Sequence, residues 1–258
     1  MAAGRHKRLT RCFLPRITPS VERMNFLLEP GIPKVVGSFG NSADLKNTCV
    51  STIRDVCDIV EIRLDLLVAE ATPISPALWR QLRAVPLLFT ARRLEEGGAL
   101  PLPAAARIAL IQSVLEDAAW IDIEVASIGE SVELLLDLAA REIPWLASYH
   151  DFEKLPSDSV LSEAVGIAKS AGAAMFKLAA NLNSVADVTR LAEFQLTDHG
   201  LPVSTMGMGA LAPVSRLLCA QCGSHFNYGY LGNTATAPGQ WDSAFLKTAI
   251  SRLAAFRH

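Results

Sequence analysis

The chain has no excess of charge of either sign: 24 Lys and Arg stand against 26 Asp and Glu, a formal net charge of −2. The body of the protein therefore has no electrostatic case as a nucleic-acid binder, which needs a basic surface to displace phosphate counterions. No apolar run approaches the roughly 18 residues that span a bilayer. Neither nucleic acid nor membrane is expected as a partner. Cysteine is sparse, with only Cys12, Cys49, Cys57, Cys219 and Cys222 in 258 residues. An odd count at this length reads as reduced thiols in a cytoplasmic protein. Cys219 and Cys222 have metal or redox spacing and His225 follows, but a second Cys-x-x-Cys pair is missing. Buried helix cysteines are expected there, not zinc. Low-complexity segments and sequence repeats are also absent. Acidic residues are missing before Glu22, whereas Arg5, Lys7, Arg8, Arg11 and Arg16 all occur there. Residues 1–30 are expected to be a basic extension, either disordered or lying around a true start near Met24, and residues 31–258 a single domain.

Half of the residues are apolar, ample for a large core. From Lys34 onward, β-rich runs alternate with longer helical patterns. The spacing predicts strands over 35–39, 59–64, 86–90, 120–124, 145–149, 175–179, 203–206 and 228–231. Helices are predicted over 43–56, 75–84, 104–117, 132–142, 159–171, 185–194, 215–220 and 241–256, several beginning after Ser, Asn or Pro. Eight β-then-α units in a chain of this length point to the α/β class and a (β/α)8 TIM barrel, with a doubly wound sheet as the competitor.

Lys177 is the only charged residue in 171–180, an apolar stretch that reads as a buried strand. Two readings are open. The lysine snorkels at a strand end, or burial lowers its pKa and frees a neutral amine to attack a carbonyl. Its company favours the second. Glu61, Arg63 and Asp65 alternate with Ile62 and Leu64, which places three charges on one strand face. Asp122 and Glu124 share a face of the fourth strand, and Ser148 and His150 share a face of the fifth. An ion-pair ladder would explain such charges structurally. At the C-terminal mouth of a barrel, binding and catalysis explain them better. One lookalike is set aside. Gly207-Met-Gly209-Ala-Leu-Ala212 matches a dinucleotide pattern, but Pro213 is expected to interrupt the helix that should follow, and no acidic residue lies between this motif and Asp242.

Together these residues resemble the type I 3-dehydroquinate dehydratase family. The matching pieces are Glu61-Ile-Arg63-Leu-Asp65, Phe89-Thr-Ala-Arg92 with Glu96-Gly-Gly98, Ser148-Tyr-His150-Asp-Phe152, and Phe176-Lys177-Leu-Ala. The block from Met206-Gly-Met208 through Ser215-Arg216 to Ala237-Pro-Gly-Gln240 is the most specific. The resemblance implies a (β/α)8 barrel, a homodimer, no metal or organic cofactor, and 3-dehydroquinate as the small-molecule substrate. It assigns Lys177 to the Schiff base, His150 to proton transfer, and Glu96 to orienting that histidine. Glu61, Arg63 and Arg92 match contacts to ring hydroxyls. Arg216 and Gln240 match residues at the carboxylate end, and Met206 and Met208 the apolar wall. The chain departs from the family pattern at Thr236, where serine is usual, at Asn227, where threonine is usual, and in the extension before Met24.

The implied reaction is loss of water from 3-dehydroquinate in the shikimate pathway of aromatic amino-acid biosynthesis. An iminium on Lys177 would acidify the α-proton, and His150 would move it. Arg216 is expected to depress the lysine pKa while anchoring the carboxylate. The segment 225–241 is expected to act as a lid. Two alternatives remain: a class I Schiff-base aldolase, and a metabolite-binding barrel without turnover.

Overall fold

The computed structural model describes residues 32–48, 50–82 and 85–254, so the basic extension read from 1–30 lies outside the described residues. Within them, eight parallel strands form one sheet: β1 (Lys34–Phe39), β2 (Ile59–Arg63), β3 (Leu87–Thr90), β4 (Trp120–Glu124), β5 (Trp145–Asp151), β6 (Met175–Asn181), β7 (Val203–Met208) and β8 (Phe226–Leu231). The order β7-β6-β5-β4-β3-β2-β1-β8 follows the chain round the sheet, and β8 pairs with β1, Val36 opposite Tyr228. Across the β7–β8 seam, hydroxyls take the place of ladder carbonyls. Phe226 N donates to Ser204 Oγ at 2.8 Å, and Thr205 N to Ser224 Oγ at 3.1 Å. Among the described residues, nine α-helices accompany these strands: α1 (Ser42–Asn47), α2 (Val50–Val56), α3 (Leu64–Ala69), α4 (Ala104–Gln112), α5 (Val132–Ala140), α6 (Asp158–Ser170), α7 (Val185–Leu196), α8 (Ala212–Gln221) and α9 (Ser243–Leu253). This is a (β/α)8 barrel.

Strand alternation sorts the lumen into layers. Ile59, Leu88, Trp120, Leu146, Met175 and Phe226 form an apolar floor, all essentially unexposed. Trp120 and Phe226 meet edge to face at 5.2 Å. Two residues further along β2 to β6 the character changes to Glu61, Thr90, Asp122, Ser148 and Lys177, all buried. Burying an apolar side chain gains about 1.5–3 kcal/mol, whereas each desolvated ion costs several kcal/mol before pairing offsets it. An apolar middle layer would be the more stable choice, yet the sequence places ionisable and hydroxyl groups there.

Four expectations are corrected. The single helix over 43–56 is two, because Thr48 takes an extended conformation that caps α1. The helix over 75–84 is replaced, in its described part, by two short 3-10 turns, Pro76–Leu78 and Arg80–Leu82. Trp79 and Leu82, three residues apart and both fully buried, suit the three-residue period of that geometry. The strand expected to reach 64 stops at Arg63, and α3 follows directly. Pro213 sits in the first turn of α8 and starts that helix instead of interrupting it.

Candidate active site

At the C-terminal mouth of the barrel, a cavity of about 480 Å³ is lined by all eleven residues named from the sequence: Glu61, Arg63, Arg92, Glu96, His150, Lys177, Met206, Met208, Arg216, Thr236 and Gln240. Adjacent strands β5 and β6, with Ser148 opposite Lys177 in register, bring the lysine and His150 to the same end. Lys177 is 4% exposed. Its Nζ lies 2.9 Å from Asp122 Oδ2 and 4.1 Å from the centroid of the Tyr228 ring. Burial lowers its pKa; Asp122 opposes that shift and Arg92 reinforces it. The depressing cation is thus Arg92, not Arg216 as expected.

Asp122 is the hub beneath the amine. Burial acts to raise its pKa, but Arg92 and Lys177 outweigh that and hold the carboxyl well below the usual carboxylate range. Arg92 Nη2 donates to it at 2.7 Å, and Ser148 Oγ donates to its other oxygen. Arg92 Nη1 reaches Glu124 Oε1 at 3.0 Å and Ser148 Oγ at 2.6 Å. That guanidinium is committed largely to the protein, although its side chain also lines the cavity. Glu61 accepts from Ser38 Oγ and, at 2.8 Å, from Thr90 Oγ1.

His150 forms a pair with Glu96. Nδ1 of the ring and the His150 backbone N both lie 3.0 Å from Glu96 Oε2. Burial, followed by the charges of Arg92 and Lys177, holds the imidazole pKa well below its ordinary value. Burial pushes the Glu96 carboxyl up to about 7. Once Glu96 is ionised, the neutral imidazole donates its Nδ1 proton to the carboxylate and leaves Nε2 as the free base. A short 3-10 turn, Leu94–Glu96, delivers the carboxylate, and Gly97 closes it with φ +87°. Gly97 O accepts from Arg63 Nη2 at 3.1 Å, while Asp65 grips the same guanidinium through both carboxylate oxygens at 2.8 and 2.7 Å. Asp65 therefore belongs to α3 and clamps Arg63 from the side, away from the strand face expected for it.

Arg216, on α8, is 2% exposed, and among the described residues no carboxylate pairs with it. Its Nη1 donates to Tyr228 O at 2.7 Å, whereas Nε is buried without a partner. Burial lowers its pKa to about 10. A buried cation without a counter-ion is costly, and here it faces a cavity able to supply an anion. In the loop after β8, the backbone N and the hydroxyl of Thr236 donate to Gln240 Oε1 at 2.9 and 2.8 Å. The extra methyl of threonine leaves that contact intact. The expected lid is shorter than 225–241, since β8 takes 226–231. The remaining loop is tethered by Asn233 N to Asp44 Oδ2 at 3.0 Å and by Gly209 N to Pro238 O at 3.3 Å.

A family model described as type I 3-dehydroquinase matches residues 39–255. The chain belongs to the type I 3-dehydroquinase family. It is 37% identical to the 3-dehydroquinate dehydratase of Desulfotalea psychrophila over 191 residues, 71% of this chain and 81% of that one. It is 32% identical to that of Methanothrix thermoacetophila over 226 residues, 86% and 93% of the two chains. The solved 3-dehydroquinate dehydratase of Geobacillus kaustophilus shares the fold, with a TM-score of 0.76 at 24% identity over 88% of this chain and 93% of that one.

Measured against the family pattern, Asn227 is no part of the mouth. It donates to Ser224 O at 2.9 Å and Lys34 O at 3.4 Å, tying β8 to β1. Cys219 and Cys222 fall at the end of α8, and burial pushes the Cys219 thiol up to about 12. Two residues of the site were given no role of their own from the sequence. Asp122 stood out only as one of several charges on buried strand faces, and Tyr228 gave no signal beyond its place in a weak strand pattern.

Proposed function

We propose that Lys177, His150 and Glu96 carry out in this chain the type I 3-dehydroquinase reaction, loss of water from 3-dehydroquinate to give 3-dehydroshikimate. The reaction class, a hydro-lyase step of the shikimate pathway, follows from family membership. The observation that carries the residue assignment is the buried, pKa-lowered amine of Lys177 in one cavity with the His150–Glu96 pair. The neutral amine attacks the ketone, and the carbonyl oxygen leaves as water to form an iminium. Nε2 of His150 takes the α-proton, and the electron pair becomes an enamine. The enamine expels the β-hydroxyl, which leaves as water with the proton held by His150. Hydrolysis of the conjugated iminium releases product and returns the free amine. One histidine acting at both ends makes this a syn elimination.

Asp122 keeps a negative charge beside the nitrogen throughout, favouring the iminium. Arg216 takes the substrate carboxylate as the anion it lacks, with Gln240 held beside it by Thr236. Glu61 and Arg63 receive ring hydroxyls, and Met206 and Met208 provide the apolar wall. Arg92 acts through Asp122 and Lys177 more than by direct contact. The aldolase alternative has no comparable support, and a barrel without turnover would not need the lysine and the histidine pair together. The reading treats residues 31–258 as one catalytic domain, working as a cytoplasmic homodimer. Light scattering would test the dimer, and a monomeric mass would count against it.

Product formation, followed by ultraviolet absorbance of the conjugated ketone, tests the assignment. Lys177→Ala is expected to abolish turnover. His150→Ala is expected to lose about 10²–10⁴-fold, the usual worth of proton-transfer catalysis. Full activity in Lys177→Ala would refute the covalent route.

A further inference from the structure

Tyr228 lines the cavity, yet the chemistry above gives it no task. β8 turns its ring inward, where it is 4% exposed and faces Lys177 Nζ at 4.1 Å. Its hydroxyl is buried, and among the described residues nothing hydrogen-bonds to it. A buried hydroxyl without a partner costs about what a lost hydrogen bond costs, a penalty that phenylalanine at this position would avoid. Burial, then the charges of Glu61 and Asp122, hold the phenol pKa well above its ordinary value. At working pH the group is a hydrogen-bond donor and not a base. Its main chain is fixed too, since Tyr228 O accepts from Arg216 Nη1. Tyr228 thus meets the amine through its ring and Arg216 through its backbone carbonyl, on the wall of the cavity that a ring ketone with a carboxylate must fill.

We propose that Tyr228 is a further substrate-positioning residue, whose hydroxyl donates a hydrogen bond to an oxygen of the bound hydroxylated ring near the carbon joined to Lys177. This rests on the reading of Lys177 as the Schiff-base amine. The ring of Tyr228 makes a separate contribution, offering its face to the positively charged iminium nitrogen. The two parts of the side chain can be removed one at a time.

Steady-state kinetics on 3-dehydroquinate and thermal melting without ligand, both on the full chain, test the proposal. Tyr228→Phe keeps the ring and is expected to raise KM about 3- to 10-fold, the worth of one hydrogen bond, with kcat changed by less than about twofold. Its melting temperature without ligand should be equal to or above wild type, because no protein partner is lost. Tyr228→Leu, which removes the ring face as well, should lower kcat in addition. An unchanged KM in Tyr228→Phe assigns the hydroxyl to the scaffold and overturns the proposal, while leaving the Lys177 reading in place. A wild-type protein that neither turns over 3-dehydroquinate nor forms an adduct overturns that reading, and this proposal with it.

Discussion

In the proposed mechanism, the carboxyl of Glu96 sets the pH at which His150 works. Glu96 ionises at about 7 in the folded chain, against an ordinary 4.5, because burial penalises its charge. Below that pH it cannot offer an anion to the imidazolium, so kcat/KM is expected to rise with pH through about 7. In Glu96→Gln that inflection should vanish and the plateau should drop about 10²-fold. The same inflection in the variant would assign it to another group. The stability consequence has the opposite sign. A raised carboxyl pKa stabilises the fold fully below about 4.5 and loses that contribution as pH climbs through about 7. Glu96→Gln is therefore expected to gain stability over wild type at pH 8, by up to about 3 kcal/mol, and to gain almost none at pH 4. Chemical denaturation of both proteins at the two pH values checks this. His150 was legible in the sequence because a polar group at the end of a buried strand stands out, and Glu96 through the resemblance to the family. Asp122 was seen but not placed in the site, since an acid in a buried strand looks the same whether it pairs with a structural arginine or with a catalytic lysine.

At the scale of elements, the loop after β3 does the positioning. Gly98 packs so tightly that a Cβ there would lie 2.4 Å from Arg92 O and 2.7 Å from Arg93 O. Backbone cannot yield as a flexible side chain can, so any larger residue displaces the turn that carries Glu96. Gly98→Ala is expected to retain its far-ultraviolet circular dichroism while losing about 10²-fold in kcat, the cost of a misplacement on the order of 1 Å. Wild-type kinetics in that variant would show that the turn tolerates the shift. The Gly97-Gly98 pair was readable as part of a motif, but its reason was not, because at Gly98 it lies in how the loop folds back on its own backbone and at Gly97 in the approach of the Phe152 ring from another loop. Likewise, Leu64 and Asp65 continue the strand alternation in sequence. They become helix only because the chain turns over the barrel rim, where Asp65 can clamp Arg63 and accept from Ala99 N at 3.1 Å.

Across the whole molecule, an apolar floor supports a charged layer, and the strand order sets every predicted site residue around one cavity. The barrel was legible from eight alternations of period. The layering followed from period-two geometry once the closed sheet was assumed. What no sequence pattern carried was the pairing inside the lumen, where Arg92 holds Asp122 and Glu124, and Asp122 holds Lys177. Those contacts join strands far apart in the chain, and they determine which cation lowers the lysine pKa. The central claim is that this lysine forms a covalent bond to substrate. Incubating the full chain with 3-dehydroquinate, adding borohydride and mapping peptides by mass spectrometry tests it directly. A ligand-sized mass increase on Lys177, absent in Lys177→Ala, is the predicted result. Product formation with no trapped adduct on Lys177 would contradict it.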